Sequence, residues 1–219
     1  MKKIVCLFCI TCIFLLGACN KDLIMPQKKY VKDSKIKNRE FKWEPNYTLK
    51  ILASTKSSLT SKRSPDICWC ICPVDKNASN KTYQDGPIIF YIDDYEIEKK
   101  GPFDIGIHIL KLGDHNHIKL KEGKSYTLQV KLFMEVNNGN KLKEIAEDSS
   151  SIKYQAVDFK ISEIPPKKLP EEFRKKGYWY DAFSTLTTLI NNGNDDLIKT
   201  RVEFLDKVNL SDISDCEKK

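Results

Sequence analysis

From Trp43 onward, apolar and polar side chains alternate along the chain with period two, the pattern of strands that bury one face. Tyr47, Leu49, Ile51 and Ala53 share a face of the first predicted strand, and Ser54 to Pro65 is polar and reads as a loop. A second extended run, Ile67 to Cys72, ends at Pro73, which cannot donate to a ladder. After a polar loop around Lys76 to Asp85, Pro87 to Ile92 and Tyr95 to Ile97 flank Asp93-Asp94, and Phe103, Ile105, Ile107 and Ile109 mark one further strand. The clearest alternation is Tyr126, Leu128, Val130, Leu132, Met134 and Val136, with Thr127, Gln129, Lys131 and Glu135 opposite. Ile152 and Tyr154, then Val157, Phe159 and Ile161, predict a last strand whose phase slips at Gln155 or Ala156, as a bulge would make it.

After Ile164-Pro165-Pro166 the period changes. Trp179, Ala182, Phe183, Leu186, Leu189 and Ile190 follow helical spacing, and Asn192-Gly193 is a stop. Asn194 with Asp195 and Asp196 predicts an N-cap and first-turn acids for a second helix carrying Leu197, Ile198, Val202, Leu205 and Val208. Six or seven short strands followed by two helices predict a mainly β chain: an immunoglobulin-like antiparallel β-sandwich over residues 43–162 with a C-terminal two-helix hairpin, residues 163–219, packed on it. Leu120-Lys121-Glu122-Gly123-Lys124-Ser125-Tyr126 resembles the Leu-x-x-Gly-x-x-Tyr corner of fibronectin type III and related sandwiches, which implies that the Tyr126 hydroxyl bonds back across the corner.

Gly177-Tyr178-Trp179-Tyr180-Asp181-Ala182-Phe183, followed by Leu186, Leu189 and a helix ending near Val208-Asn209-Leu210, resembles the C-terminal signature of an exported bacterial family known mostly from cyanobacteria, domain of unknown function 928. Leu120 to Tyr126 is similar to its Leu-x-x-Gly-Lys-x-Tyr segment. The resemblance covers Gly86 to Leu210 loosely. It implies the architecture and leaves the activity open.

The start of the chain has a different character. Lys2 and Lys3 precede an apolar stretch, Ile4 to Leu16, of about 13 residues, too short for the roughly 20 that a spanning helix needs. Leu16-Gly17-Ala18-Cys19 is similar to the lipobox of bacterial lipoproteins, so residues 1–18 read as a signal peptide and Cys19 as the acylated, palmitate-bearing first residue of the mature chain. With Asn20 and not Asp after it, enteric-type sorting favours the outer membrane, periplasmic or surface-facing. Residues 19–42, rich in lysine, read as a basic flexible tether that accounts for much of the +7 net charge. Anionic headgroups or cell-wall polymer are its sharper possible contacts. Nucleic acid is excluded as an expectation for an exported chain without a basic face interleaved with aromatics.

Cys68-Trp69-Cys70-Ile71-Cys72 invites a metal reading, but alternate side chains of a strand lie about 7 Å apart, so Cys68 and Cys72 stand roughly 13 Å apart. Neighbouring members of the set are poorly placed to bridge each other, and pairing one of them with Cys216 is the better expectation. His108, His115 and His117 are a second candidate metal set, although Gly113-Asp114-His115-Asn116 also reads as a plain turn. No glycine-rich phosphate loop or serine elbow occurs. The expectation is a lipid-anchored, non-enzymatic interaction module of the cell envelope, without a cofactor, meeting a protein or glycan partner. Trp69, Tyr91 and Tyr95 are the aromatics least explained by packing. The alternative is a metal-binding envelope lipoprotein.

Overall fold

The computed structural model describes residues 47–54, 59–75, 82–136 and 141–213. The leader, Cys19, the tether and Cys216 lie outside the described residues. Among the described residues, ten strands come first: β1 (Tyr47–Ile51), β2 (Leu59–Thr60), β3 (Asp66–Pro73), β4 (Thr82–Tyr83), β5 (Ile88–Ile92), β6 (Tyr95–Lys99), β7 (Phe103–Asp104), β8 (Gly106–Lys111), β9 (Ser125–Val136) and β10 (Lys141–Tyr154). Three α-helices follow: α1 (Leu169–Lys175), α2 (Trp179–Asn191) and α3 (Ile198–Lys207). The chain is thus mainly β with a helical C-terminal part.

The strands form a three-stranded sheet in the order β1-β3-β8, a five-stranded sheet in the order β2-β10-β9-β5-β6, and the small pair β4-β7. Among the described strands pairing is antiparallel except where Lys153 and Tyr154 run parallel to Leu59 and Thr60, and an isolated bridge from Glu122 to Tyr154 is also parallel. Leu49, Ile67, Trp69 and Ile71 from the small sheet and Phe90, Val130, Leu132 and Ile152 from the large one share one apolar core. The other face of the small sheet carries Cys68, Cys70 and Cys72, which join Phe183, Leu186, Phe204 and Leu205 of the helices in a second core. The small sheet is therefore a middle layer buried on both faces. That is why β3 is nearly continuous in apolar residues and does not alternate.

Several sequence expectations need correcting. Phe103 to Ile109 is not one strand. Gly106, at φ +133°, breaks it into β7 and β8, so Phe103 and Ile105 pack on the first core while Ile107 and Ile109 pack on the second. Strand β10 ends at Tyr154, and Val157 and Phe159 leave the sheet to pack under the helices; the bulge in this strand falls instead between Glu144 and Ala146. The two-helix prediction missed α1, whose proline in the first turn and Glu171 and Glu172 suit a helix start. Asn194 does not cap the following helix with its side chain. Its Nδ2 donates to Leu189 O at 2.9 Å, closing the end of α2.

Candidate functional site

Alternation along β3 decides where its side chains go. Trp69 is 4% exposed and lies in the first core, edge-on to Phe90 and Phe103 and stacked on His108 with centroids 4.5 Å apart. It is a core residue and not part of a binding surface, because the strand that carries it is covered on both sides. The cysteines point the opposite way, beneath α2.

Cys72 is disulfide-bonded, whereas Cys68 and Cys70 carry thiols. The Cys68 thiol lies 3.7 Å from Thr187 Oγ1, which also accepts a hydrogen bond from Arg201 Nη1 at 3.3 Å. Burial pushes the Cys68 thiol up to about 12 against the lowering effect of these neighbours. A thiol so protonated and enclosed is a poor nucleophile at neutral pH. Sequence reasoning missed this buried polar chain, because Thr187 and Arg201 sit at helix positions whose neighbours are apolar.

The three histidines do not converge. His108 faces the first core and its Nε2 lies 2.7 Å from Asp104 O. His115 and His117 meet edge to face with centroids 6.3 Å apart, and His117 is 5.8 Å from the ring of Tyr95. Among the described residues, no group of three His, Cys, Asp or Glu side chains is arranged to hold a metal ion. His108 shares its face with Trp69, so Cys68 and Cys70 lie on the other side of the ladder from it. That separation removes a local cysteine–histidine nucleophile.

What the structure does assemble near the surface is a short aromatic and imidazole group. Tyr95 stands on β6, the outer strand of the large sheet, at 39% exposure, with His117 and then His115 beside it. His115 Nε2 is buried with no hydrogen-bond partner, and burial holds the ring below the usual histidine range, with Lys99 and His117 adding to the effect and Asp114 opposing it. Tyr91 is half-buried on β5, and burial pushes its phenol up to about 12, with Glu96, Glu144 and Glu98 adding to the effect. An outer strand bearing an exposed aromatic can pair with and stack against a partner.

Two part-buried contacts outside this surface fix local geometry. The Tyr126 hydroxyl accepts the Lys121 N–H at 2.9 Å, across a turn in which Gly123 adopts φ +75°. Asp181, in the first turn of α2, accepts from Ser61. The sequence signal for Asp181 was an acid set inside an otherwise apolar helix face.

No curated protein and no solved structure matches this chain. The family described as Domain of Unknown Function (DUF928) does, over residues 35–217. That match covers the strands and the helical layer alike, so this chain belongs to the DUF928 family.

Proposed function

We propose that this chain is a lipid-anchored protein of the bacterial cell envelope, tied to the membrane through an acylated Cys19, whose body serves as a non-enzymatic interaction module. Two features support this reading: the basic and apolar leader ending in Leu16-Gly17-Ala18-Cys19 supports the anchor, and the disulfide at Cys72 supports a location outside the cytoplasm. For the envelope location the disulfide carries the most weight, because such bonds persist outside the reducing cytoplasm. Two or three acyl chains, at about 0.8 kcal/mol per buried methylene, hold such a chain firmly. The outer membrane is the proposed destination, since Asn20 follows the acylated cysteine.

The proposed interacting region is the outer strand β6 with Tyr95, extended by Tyr91 on the neighbouring strand, and the proposed partner is an envelope protein or glycan. The two-sheet body is read as immunoglobulin-like, on the support of the Lys121 to Tyr126 corner bond. Metabolic labelling with an alkyne palmitate tests the anchor. The wild type takes up label and fractionates with membranes, and Cys19→Ala abolishes both. A cytosolic, unlabelled wild type retaining residues 1–18 would overturn the reading. For the interaction, a photo-crosslinking residue at position 95 gives a discrete adduct in intact cells, and the same residue at buried position 130 does not.

A further inference from the structure

We propose that β6 takes on one more strand, supplied by a partner protein as an extended segment with Lys or Arg at alternate positions and apolar residues between them. The inference rests on the reading of β6 as the interacting region and names the kind of partner that region fits.

The backbone argument starts at the turn before β6. Ile92 and Tyr95 face each other across the two residues Asp93-Asp94, of which Asp93 adopts φ +48°. Such a turn closes with the C=O of its first residue accepting the N–H of its fourth, so Ile92 and Tyr95 form a hydrogen-bonded pair. Bonded and non-bonded pairs alternate along an antiparallel ladder. Phe90 with Ile97 is therefore the next bonded pair, whereas Tyr91 with Glu96 and Ile89 with Glu98 exchange no bonds. The N–H and C=O groups of Glu96 and Glu98 consequently point away from β5, along the outer edge of the sheet. Among the described residues, β5 is the one strand that pairs with β6.

Two other strand edges are closed. At the far side of the same sheet, β2 is two residues long and runs into Ser61, which Asp181 holds. On β1, the outward Ile51 N–H is taken by the Asp148 carboxylate at 2.8 Å, with Lys50 Nζ 3.5 Å from the same group. Strand β6, by contrast, runs for five residues with Tyr95, Glu96 and Glu98 exposed.

The side chains select the occupant. Glu96 and Glu98 stand on one face of the strand, and Tyr95 and Ile97 on the other. A second copy of this chain, paired antiparallel about Ile97, would set each Glu96 against a Glu98, and like charges directly opposite are destabilising. Lys or Arg at those two positions makes the pairs attractive instead. On the other face Ile97, 4% exposed, and Tyr95, 39% exposed, suit apolar neighbours. A glycan has no in-line amide ladder to match such an edge, so the partner is a protein. The same acids keep neutral strands from pairing indiscriminately.

The probe is the peptide Thr-Lys-Val-Lys-Val-Lys-Thr, titrated into the purified full chain while amide exchange is followed. Thr-Glu-Val-Glu-Val-Glu-Thr and the block sequence Lys-Lys-Lys-Thr-Thr-Val-Val are the controls. The basic alternating peptide is expected to slow exchange of the Glu98 amide tenfold or more, and the controls to leave it unchanged. Glu98→Pro removes an edge donor without taking a bond from the β5 ladder, and it should weaken peptide binding at least tenfold with Tm retained. Should that variant not fold, Glu98→Lys gives the second readout: weaker binding of the basic peptide and stronger binding of the acidic one. No protection at Glu98, equal protection by either control, or a dimer of the full chain that Glu98→Pro dissolves, overturns the inference. So does a crosslink from position 95 in intact cells that persists undiminished in Glu98→Pro, an outcome that keeps β6 as the contact. Failure of the β6 reading itself looks different: position 95 gives no adduct in cells at all.

Discussion

The Asp181 carboxylate holds Ser61 at two points, accepting its backbone N–H at 2.6 Å through Oδ2 and its hydroxyl at 3.1 Å through Oδ1. Asp181 opens α2 and Ser61 directly follows β2, so this contact ties the helical layer to the short strand that runs parallel to β10. The neighbouring Tyr180 reaches β10 itself, donating to Ser151 O at 3.1 Å, while its ring enters the core between the sheets. The start of one helix is thus pinned at two points to the five-stranded sheet.

Asp181 is 1% exposed, and removing its carboxylate strands the Ser61 donors. Asp181→Ala is expected to lower unfolding stability by about 2–3 kcal/mol, and Asp181→Asn, which keeps one acceptor, by about 1 kcal/mol, in chemical denaturation. The pH dependence has a definite sign. Burial, opposed by the Ser61 bonds and the Lys62 charge, holds the carboxyl above the usual Asp value, so the folded state keeps its proton to higher pH than the unfolded chain. As pH rises from the ordinary Asp range through the raised value, this group therefore subtracts stability. The Asn variant lacks that fall, and the wild-type minus Asn difference measured from pH 3 to 7 should shrink toward higher pH.

Tyr126→Phe isolates the corner bond. The Lys121 N–H loses its acceptor while the ring keeps its packing. The expected loss is about 1 kcal/mol, with a Tm lower by about 2–4 °C for a domain of this size. A variant indistinguishable from wild type in calorimetry would remove the corner as a stabilising element.

Trp69→Ala tests the placement of one of the three aromatics, with Tyr91 and Tyr95, that the sequence offered for a binding surface. Its ring fills space against Phe90, Phe103 and His108, so its removal opens a cavity between the sheets. A loss of about 3–5 kcal/mol is expected, read as a shift of the urea midpoint. An unchanged midpoint would mean that the site is not enclosed.

What was legible in the sequence, and what was not, divides along this same strand. Tyr126 to Leu132 alternated cleanly because β9 has one buried face over most of its length. Cys68 to Cys72 had no period because β3 has two buried faces, and a run without a period does not say which side each residue takes. The thiols were therefore readable as candidate ligands until the helices were seen to cover them. Gly106 was passed over because the isoleucines on either side kept an even spacing, although a glycine at positive φ exchanged the faces between them. Most of β10, with its run Glu147 to Ser151, gave no apolar alternation because most of its residues are at least partly exposed. The Asp181 contact joins residues 120 apart, and no local pattern carries such a pairing.

His115 offers a second pH effect. Burial and the nearby Lys99 and His117 hold its ring below the usual histidine range, and its Nε2 is enclosed with no acceptor to receive a proton. The unfolded chain therefore binds the proton first as pH falls. Stability from this group is full above about pH 6.5 and is lost as pH falls toward the depressed folded value. His115→Phe is expected to reduce the loss of stability between pH 7 and 5, measured by urea titration at each pH.

Cys68 provides the sharpest chemical readout of the helical layer. With its thiol pushed up to about 12 by burial, Cys68 carries far less thiolate at pH 8 than an ordinary cysteine does. The Thr187 and Arg201 side chains close over it as well, so reagent entry requires α2 to lift from β3. Iodoacetamide at pH 8 should leave Cys68 unmodified in the native protein over a time in which urea-unfolded protein reacts fully, as read by mass spectrometry. Thr187→Gly removes the hydroxyl contact and opens space above the sulfur, and it should raise the native labelling rate by a factor of ten or so through increased local opening. Equal rates for native and unfolded wild type would mean that the helices do not cover the small sheet.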